Sequence, residues 1–148
     1  MNKNVQILIA EDNEGHFLLI KKNLRRTGIQ NEIIHFVNGQ ETLDFLFREC
    51  QRNKKNIDQR YVLLLDIRMP KVDGLEVLKK IKSTPDLKQL PVIMLTTSTA
   101  SADVDRCYEL GCNIYIVKPI EYENFSDALR KVGFFFSVIE APNVGNAI

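Results

Sequence analysis

No apolar run in this 148-residue chain is long enough to cross a bilayer, and the start, MNKNVQILIAEDN, is too briefly apolar for a signal peptide. That excludes a membrane span and leaves a cytoplasmic reading. Cysteine is scarce: Cys50, Cys107 and Cys112 are unevenly spaced, with no CxxC pair and no metal-ligand spacing. They read as small buried fillers in a reducing compartment. Charge of one sign is lacking too. Twenty Lys and Arg stand against 19 Asp and Glu, a net charge of +1 with the signs interleaved. No basic stripe for nucleic acid or anionic lipid emerges. The sequence also has no GxGxxG, no P-loop and no phosphate-cradling loop after its first apolar run, which argues against a flavin or nucleotide binder. Internal repeats and low-complexity tracts are absent.

What is present is an ordinary globular composition, 45% hydrophobic and 26% charged. The length suits one domain over 1–148, with a core from about 5 to 139 and a short tail at 140–148. Val5–Ala10 reads as a buried strand that stops at Glu11-Asp12. From Asn13 the pattern turns helical, with His16, Leu19, Ile20 and Leu24 on one face, and Gly28 ends it. Glu32–Val37 reads as a second strand. Leu43, Leu46, Phe47 and Cys50 then mark a second amphipathic helix, followed by a polar stretch at 52–60. Tyr61–Asp66 is a third strand, apolar until its last residue. Asp73-Gly74 opens a third helix carrying Leu75, Leu78 and Ile81; Val92–Leu95 is a fourth strand ending on Thr96. A helix at 102–110 stops at Gly111, a C′ glycine. Ile114–Val117 is a fifth strand ending on Lys118-Pro119, and a last helix runs from about 121 to 139.

Five strands alternate with five helices, and the strands read as buried and non-alternating. Such strands belong to a parallel sheet covered on both faces. Right-handed crossovers then predict a doubly wound, flavodoxin-like α/β fold with strand order 2-1-3-4-5. Ligands of such sheets bind at the carboxyl ends of the strands. The residues waiting there are Glu11, Asp12, Asp66, Thr96 and Lys118.

Three carboxylates in one crevice repel one another unless a cation joins them, and hard oxygen ligands with room for water suit Mg²⁺. A carboxylate can also be a covalent nucleophile, forming an aspartyl phosphate. Attack on a phosphoryl group needs positive charge at its equatorial oxygens, which a metal and Lys118 supply, with a hydroxyl of Thr96 as a further donor.

The stretches "DIRMPKVDG", "LTTS" and "YIVKP" resemble the receiver domains of two-component response regulators, over roughly residues 5–139. The resemblance implies that Asp66 is the phospho-accepting aspartate. It implies Asp12 as a direct Mg²⁺ ligand, Glu11 as the acidic neighbour acting through water, and the backbone carbonyl of Arg68 as a further ligand. Thr96 matches the switch hydroxyl, Tyr115 the switch aromatic and Lys118 the family lysine, followed by Pro119 of a pair whose peptide bond is usually cis. Arg68 and Ser98 occupy rim positions that tune phosphate lifetime in the family, and Arg68 departs from the commoner small polar residue. "EDNEGHFLLIKKNLRRTGI", "NGQETLDFLF" and "YELGCNIYIVKP" are similar to small stand-alone regulators paired with phytochrome-like or hybrid histidine kinases. The sequence after the last helix, ending APNVGNAI, reads as a tail without an output domain.

The implied function is a phospho-switch rather than an enzyme beyond its own Mg²⁺-dependent phosphorylation and dephosphorylation. A phosphatase using Asp66 wants a second acid nearby, such as a D-x-D pair, and Asp66-Ile67-Arg68 lacks one. His16 and His35 read as structural histidines. Phe134, Phe135 and Val138 lie off the main apolar stripe of the last helix, so a partner surface there, and a homodimer through it, are expected.

Overall fold

The first strand shows why the sequence has continuous apolar runs. In β1 (Val5–Ala10), Leu8 and Ala10 face one hydrophobic cluster while Val5, Ile7 and Ile9 face another, and all five are buried. Successive strand residues point to opposite faces, so a strand covered on both sides is apolar wherever it is covered; Gln6, half-buried in β1, is the exception. The computed structural model describes residues 4–53, 59–97, 100–118 and 126–131. Pairing with β1 on either side are β2 (Ile33–Phe36) and β3 (Arg60–Leu65), and β4 (Val92–Thr96) and β5 (Ile114–Val117) follow outward. The sheet is entirely parallel, in the order β2-β1-β3-β4-β5. This is the expected doubly wound, flavodoxin-like architecture.

Helices α1 (Glu14–Arg26), α2 (Gly39–Asn53), α3 (Gly74–Ser83) and α4 (Ser101–Leu110) form the crossovers, and residues 126–131 are helical within the span expected for the fifth. One cluster gathers Leu46, Leu78, Ile81 and Cys107 from α2, α3 and α4 against Leu8, Leu63, Leu65 and Met94. The opposite cluster packs Ile20 and Leu24 of α1, with Leu129, against Ile7, Val62, Leu64, Ile93 and Leu95.

Several boundaries shift from the sequence reading. Asn13 is the N-cap of α1 rather than its first helical residue, its side chain accepting from the His16 amide at 3.0 Å. β2 is shorter than 32–37, and β3 begins at Arg60 and stops one residue before Asp66. Phe47 is 41% exposed although it shares the apolar stripe of α2. The buried line of that helix, Leu43, Leu46 and Cys50, is narrower than the stripe, and Phe47 falls on its flank. Asp73, read as opening α3, is its N-cap, accepting from the Glu76 amide at 2.9 Å. Gly111 ends α4 in the left-handed region, at φ 102°.

Two features bear directly on the end of β3. Gly74 approaches so closely that a Cβ there would lie 2.0 Å from the Asp66 carbonyl oxygen. Its own amide donates to the Ile67 carbonyl at 2.7 Å, pinning the start of α3 under the loop that follows Asp66. The intervening loop also holds Lys71 at φ 67°, a left-handed conformation that costs a non-glycine residue energy.

Candidate functional site

Asp66 is the first residue past β3, and its amide donates to the Ala10 carbonyl at 3.1 Å, continuing the β1–β3 ladder by one bond. Glu11 is held the same way on the other side of β1, its amide donating to the Phe36 carbonyl at 3.0 Å. Lys118 follows β5, its amide donating to the Thr96 carbonyl at 2.7 Å. Each of these side chains is thus aimed by the last rung of a parallel ladder. Flanking strands in register make their ends converge, although they come from distant parts of the chain.

Glu11, Asp12 and Asp66 each offer a carboxylate oxygen, and these atoms lie within 4.8 Å of one another. Asp12 is exposed, whereas Glu11 and Asp66 are buried. The Lys118 ammonium, 3% exposed, donates to Glu11 Oε2 and to Asp66 Oδ2, the latter at 3.2 Å. Glu11 Oε1 accepts from the Asn13 amide at 3.1 Å. Burial pushes the Glu11 carboxyl up to about 7; Lys118 opposes that shift and the nearby Asp66 adds to it. Such a carboxyl profits from more positive charge than one lysine supplies. The donor set is all carboxylate oxygen, and the exposed Asp12 leaves one side open to water, a combination that fits a hard divalent cation.

An open cleft of about 550 Å³ reaches this side, lined by Asp12, Ile67, Arg68, Met69, Asp73, Leu75 and Asp103. Arg68 is exposed at its rim, as expected. Thr96 is fully buried at the end of β4. Tyr115, on β5, is half-buried, packs against the cluster under α2, α3 and α4, and donates its amide to the Tyr108 hydroxyl at 3.1 Å. Pro119, Ser98, Phe134, Phe135 and Val138 lie outside the described residues.

Both histidines, read from the sequence as structural, make defined contacts near the site. His16 is partly exposed, but its Nδ1 lies 3.3 Å from Lys118 Nζ and 3.7 Å from Glu11 Oε1. Burial and Lys118 hold its imidazole below the usual histidine range. His35 stacks flat on Phe17, with ring centroids 3.7 Å apart, and its Nε2 sits 2.7 Å from the Glu11 carbonyl oxygen. The only sequence signal was that His16 lies one helical turn after Glu11-Asp12, which by itself names no partner.

Comparison with known proteins places this arrangement. The sequence profile of the response regulator receiver domain matches residues 7–130. Response regulator Rcp1 from Synechocystis is 37% identical over 140 residues, which span 92% of this chain and 92% of that protein. The solved structure of the Mn²⁺-bound form of Rcp1 superimposes with a TM-score of 0.82 at 33% identity, covering 93% of this chain and 98% of that one. A response regulator receiver domain from Rhodospirillum rubrum gives a TM-score of 0.88 at 40% identity, over 95% and 99% of the two chains. The phosphorylated cyanobacterial phytochrome response regulator RcpA gives 0.78 at 30% identity, over 93% and 98%.

Proposed function

The chain belongs to the response regulator receiver family of two-component signalling, and on that premise we propose that it accepts a phosphoryl group on Asp66 from a histidine kinase of the phytochrome-like or hybrid kind. The observation that carries this reading is the position of Asp66: buried, one rung past the central strand, hydrogen-bonded to Lys118 and within 4.8 Å of two further carboxylates. An Asp66 carboxylate oxygen attacks phosphorus, and the bond from phosphorus to the donor's histidine nitrogen breaks, its electron pair staying on the imidazole. Lys118 neutralises charge on the phosphoryl oxygens in that step. Glu11, Asp12, Asp66 and the Arg68 carbonyl are the groups that would hold Mg²⁺, which when bound adds charge neutralisation on the phosphoryl oxygens. The relatives described as Mn²⁺-bound and as a phosphorylated phytochrome regulator support this assignment.

Thr96 and Tyr115 form the switch in this reading. The threonine hydroxyl turns toward the phosphoryl group, and the tyrosine, on the half-buried edge strand, follows it inward. The result is a change in which protein the receiver binds, with no enzymatic turnover beyond its own phosphorylation and dephosphorylation. A cytoplasmic setting fits the three buried cysteines, none of them in a disulfide. Among the described residues, no helix is long and apolar enough to cross a membrane. Self-association through Phe134, Phe135 and Val138 is the assembly we assign; sedimentation at micromolar concentration checks it, and a dimer weakened by Phe134→Asp or Phe135→Asp is the expected result.

The central test is labelling with a small phosphodonor, or a beryllofluoride mimic, in Mg²⁺. Wild type is expected to take up one phosphoryl group and Asp66→Asn none, with the near-isosteric variant still folded. Stoichiometric labelling of Asp66→Asn at another residue refutes the assignment. Thr96→Ala and Lys118→Ala are expected to remain labelled but lose the phosphorylation-dependent change in partner affinity.

A further inference from the structure

The Lys118 ammonium carries three N–H groups and, buried at 3% exposure, needs an acceptor for each. Two are carboxylates, Glu11 Oε2 and Asp66 Oδ2. The third is His16 Nδ1, at 3.3 Å. An ammonium has no lone pair, so in this contact the imidazole nitrogen accepts. His16 is itself tied to the site from two sides. Its amide donates to Asn13 Oδ1 at 3.0 Å, and the Asn13 amide donates to Glu11 Oε1 at 3.1 Å. The first turn of α1, Glu11 and Lys118 therefore close a ring of contacts linking groups 102 residues apart in the chain.

We infer that His16 is a positioning residue for phosphoryl capture, holding the Lys118 ammonium in place while Asp66 changes from carboxylate to acyl phosphate. The inference rests on Asp66 being the phosphoacceptor. With acetyl phosphate as donor, an Asp66 oxygen bonds to phosphorus, the bond from phosphorus to the acetate oxygen breaks, and acetate leaves with that electron pair. Lys118 keeps all three hydrogens throughout. Of its three hydrogen bonds only the one to Asp66 has to be redirected, to a phosphoryl oxygen. Glu11 and His16 retain the other two, so Nζ need not be re-sorted during the reaction. Without the imidazole the third N–H turns to water, and the ammonium swings on its flexible stem. The imidazole is 41% exposed over a nearly buried lysine, so replacing it removes little core packing.

The test is the rate of acetyl phosphate labelling at saturating Mg²⁺, read by intact mass. His16→Phe is expected to label about tenfold more slowly than wild type, the scale of one lost hydrogen bond to a charged group. His16→Ala carries the same expectation, so the result does not depend on the bulkier variant folding. His16→Gln, which can present an acceptor, is expected within about twofold of wild type. In a Lys118→Ala background, His16→Phe is expected to change the rate by less than about twofold, because its effect passes through the lysine. Wild-type rates for both His16→Phe and His16→Ala overturn the inference, as does full slowing in the Lys118→Ala background. Failure of the phosphoacceptor reading is visible separately: wild type unlabelled, or Asp66→Asn labelled equally, removes both claims.

Discussion

Along β3 every residue from Tyr61 to Leu65 is buried, and strands pair with it on both sides; along β5, at the sheet edge, Ile114, Tyr115 and Ile116 are half-buried and Val117 is exposed. The helices differ in the same direction. Asn13 and Asp73 cap α1 and α3 with their side chains, while α4 has Ala100 at its N-cap position and no side-chain cap. Asp66 thus follows a strand buried and paired on both sides, and Tyr115 sits on an edge strand that is only partly covered. A group that must be aimed within fractions of an ångström needs a stiff mount, whereas a switch needs an element whose two positions differ little in energy. On the proposed reading, in which Asp66 accepts phosphate and Tyr115 switches, the fold separates aiming from switching by distance from the middle of the sheet.

The stiff side breaks hardest at Gly74. A Gly74→Val side chain would drive its Cβ into the Asp66 carbonyl, whose separation is 2.0 Å, so about 3 kcal/mol or more of stability should be lost. Urea denaturation measures this, and an unchanged midpoint would show that the loop yields freely. Next is a matched pair of truncations on one face. Leu64→Ala, at 1% exposure in the centre, is expected to cost about 2–5 kcal/mol, and Ile116→Ala, half-buried at the edge, less than half as much. Equal losses would erase the distinction between centre and edge.

A third test uses pH, in metal-free buffer. The Glu11 carboxyl stands at about 7 in the folded chain against 4.5 for an ordinary glutamate, so between those values the folded state holds the extra proton. Stability from this group is therefore present below about pH 4.5 and is lost as pH rises through about 7. Glu11→Gln should flatten that slope, by on the order of 1 kcal/mol or more across the window. Denaturation midpoints across the window, for both proteins, decide it. The smallest effect sharpens the loose side: Ala100→Ser supplies the missing cap and should add about 0.5–1 kcal/mol to α4. Amide exchange in α4 should slow while that of β3 stays unchanged.

The strand ends were legible because they are local properties. An apolar run of strand length that stops at a polar residue needs only its own neighbours to be recognised, as Val5–Ala10 before Glu11 and Tyr61–Leu65 before Asp66 show. Phe47 misled for the opposite reason. Periodicity tells which side of a helix is apolar, not how wide a line the neighbouring elements cover, and that width was set by the packing of α2 against α3 and the sheet.

By itself the sequence determined the doubly wound order and the set of polar groups at its carboxyl edge, because hydrophobic patterning and right-handed crossovers leave few other arrangements. Only the tertiary structure decided how those groups pair. That Lys118 spends its three hydrogens on Glu11, Asp66 and His16 follows from the register of three strands and the angle of one helix. Gly74 is required under Asp66 only because α3 starts against that carbonyl. Contacts between residues so far apart are properties of the packed chain, and no pattern along one segment encodes them.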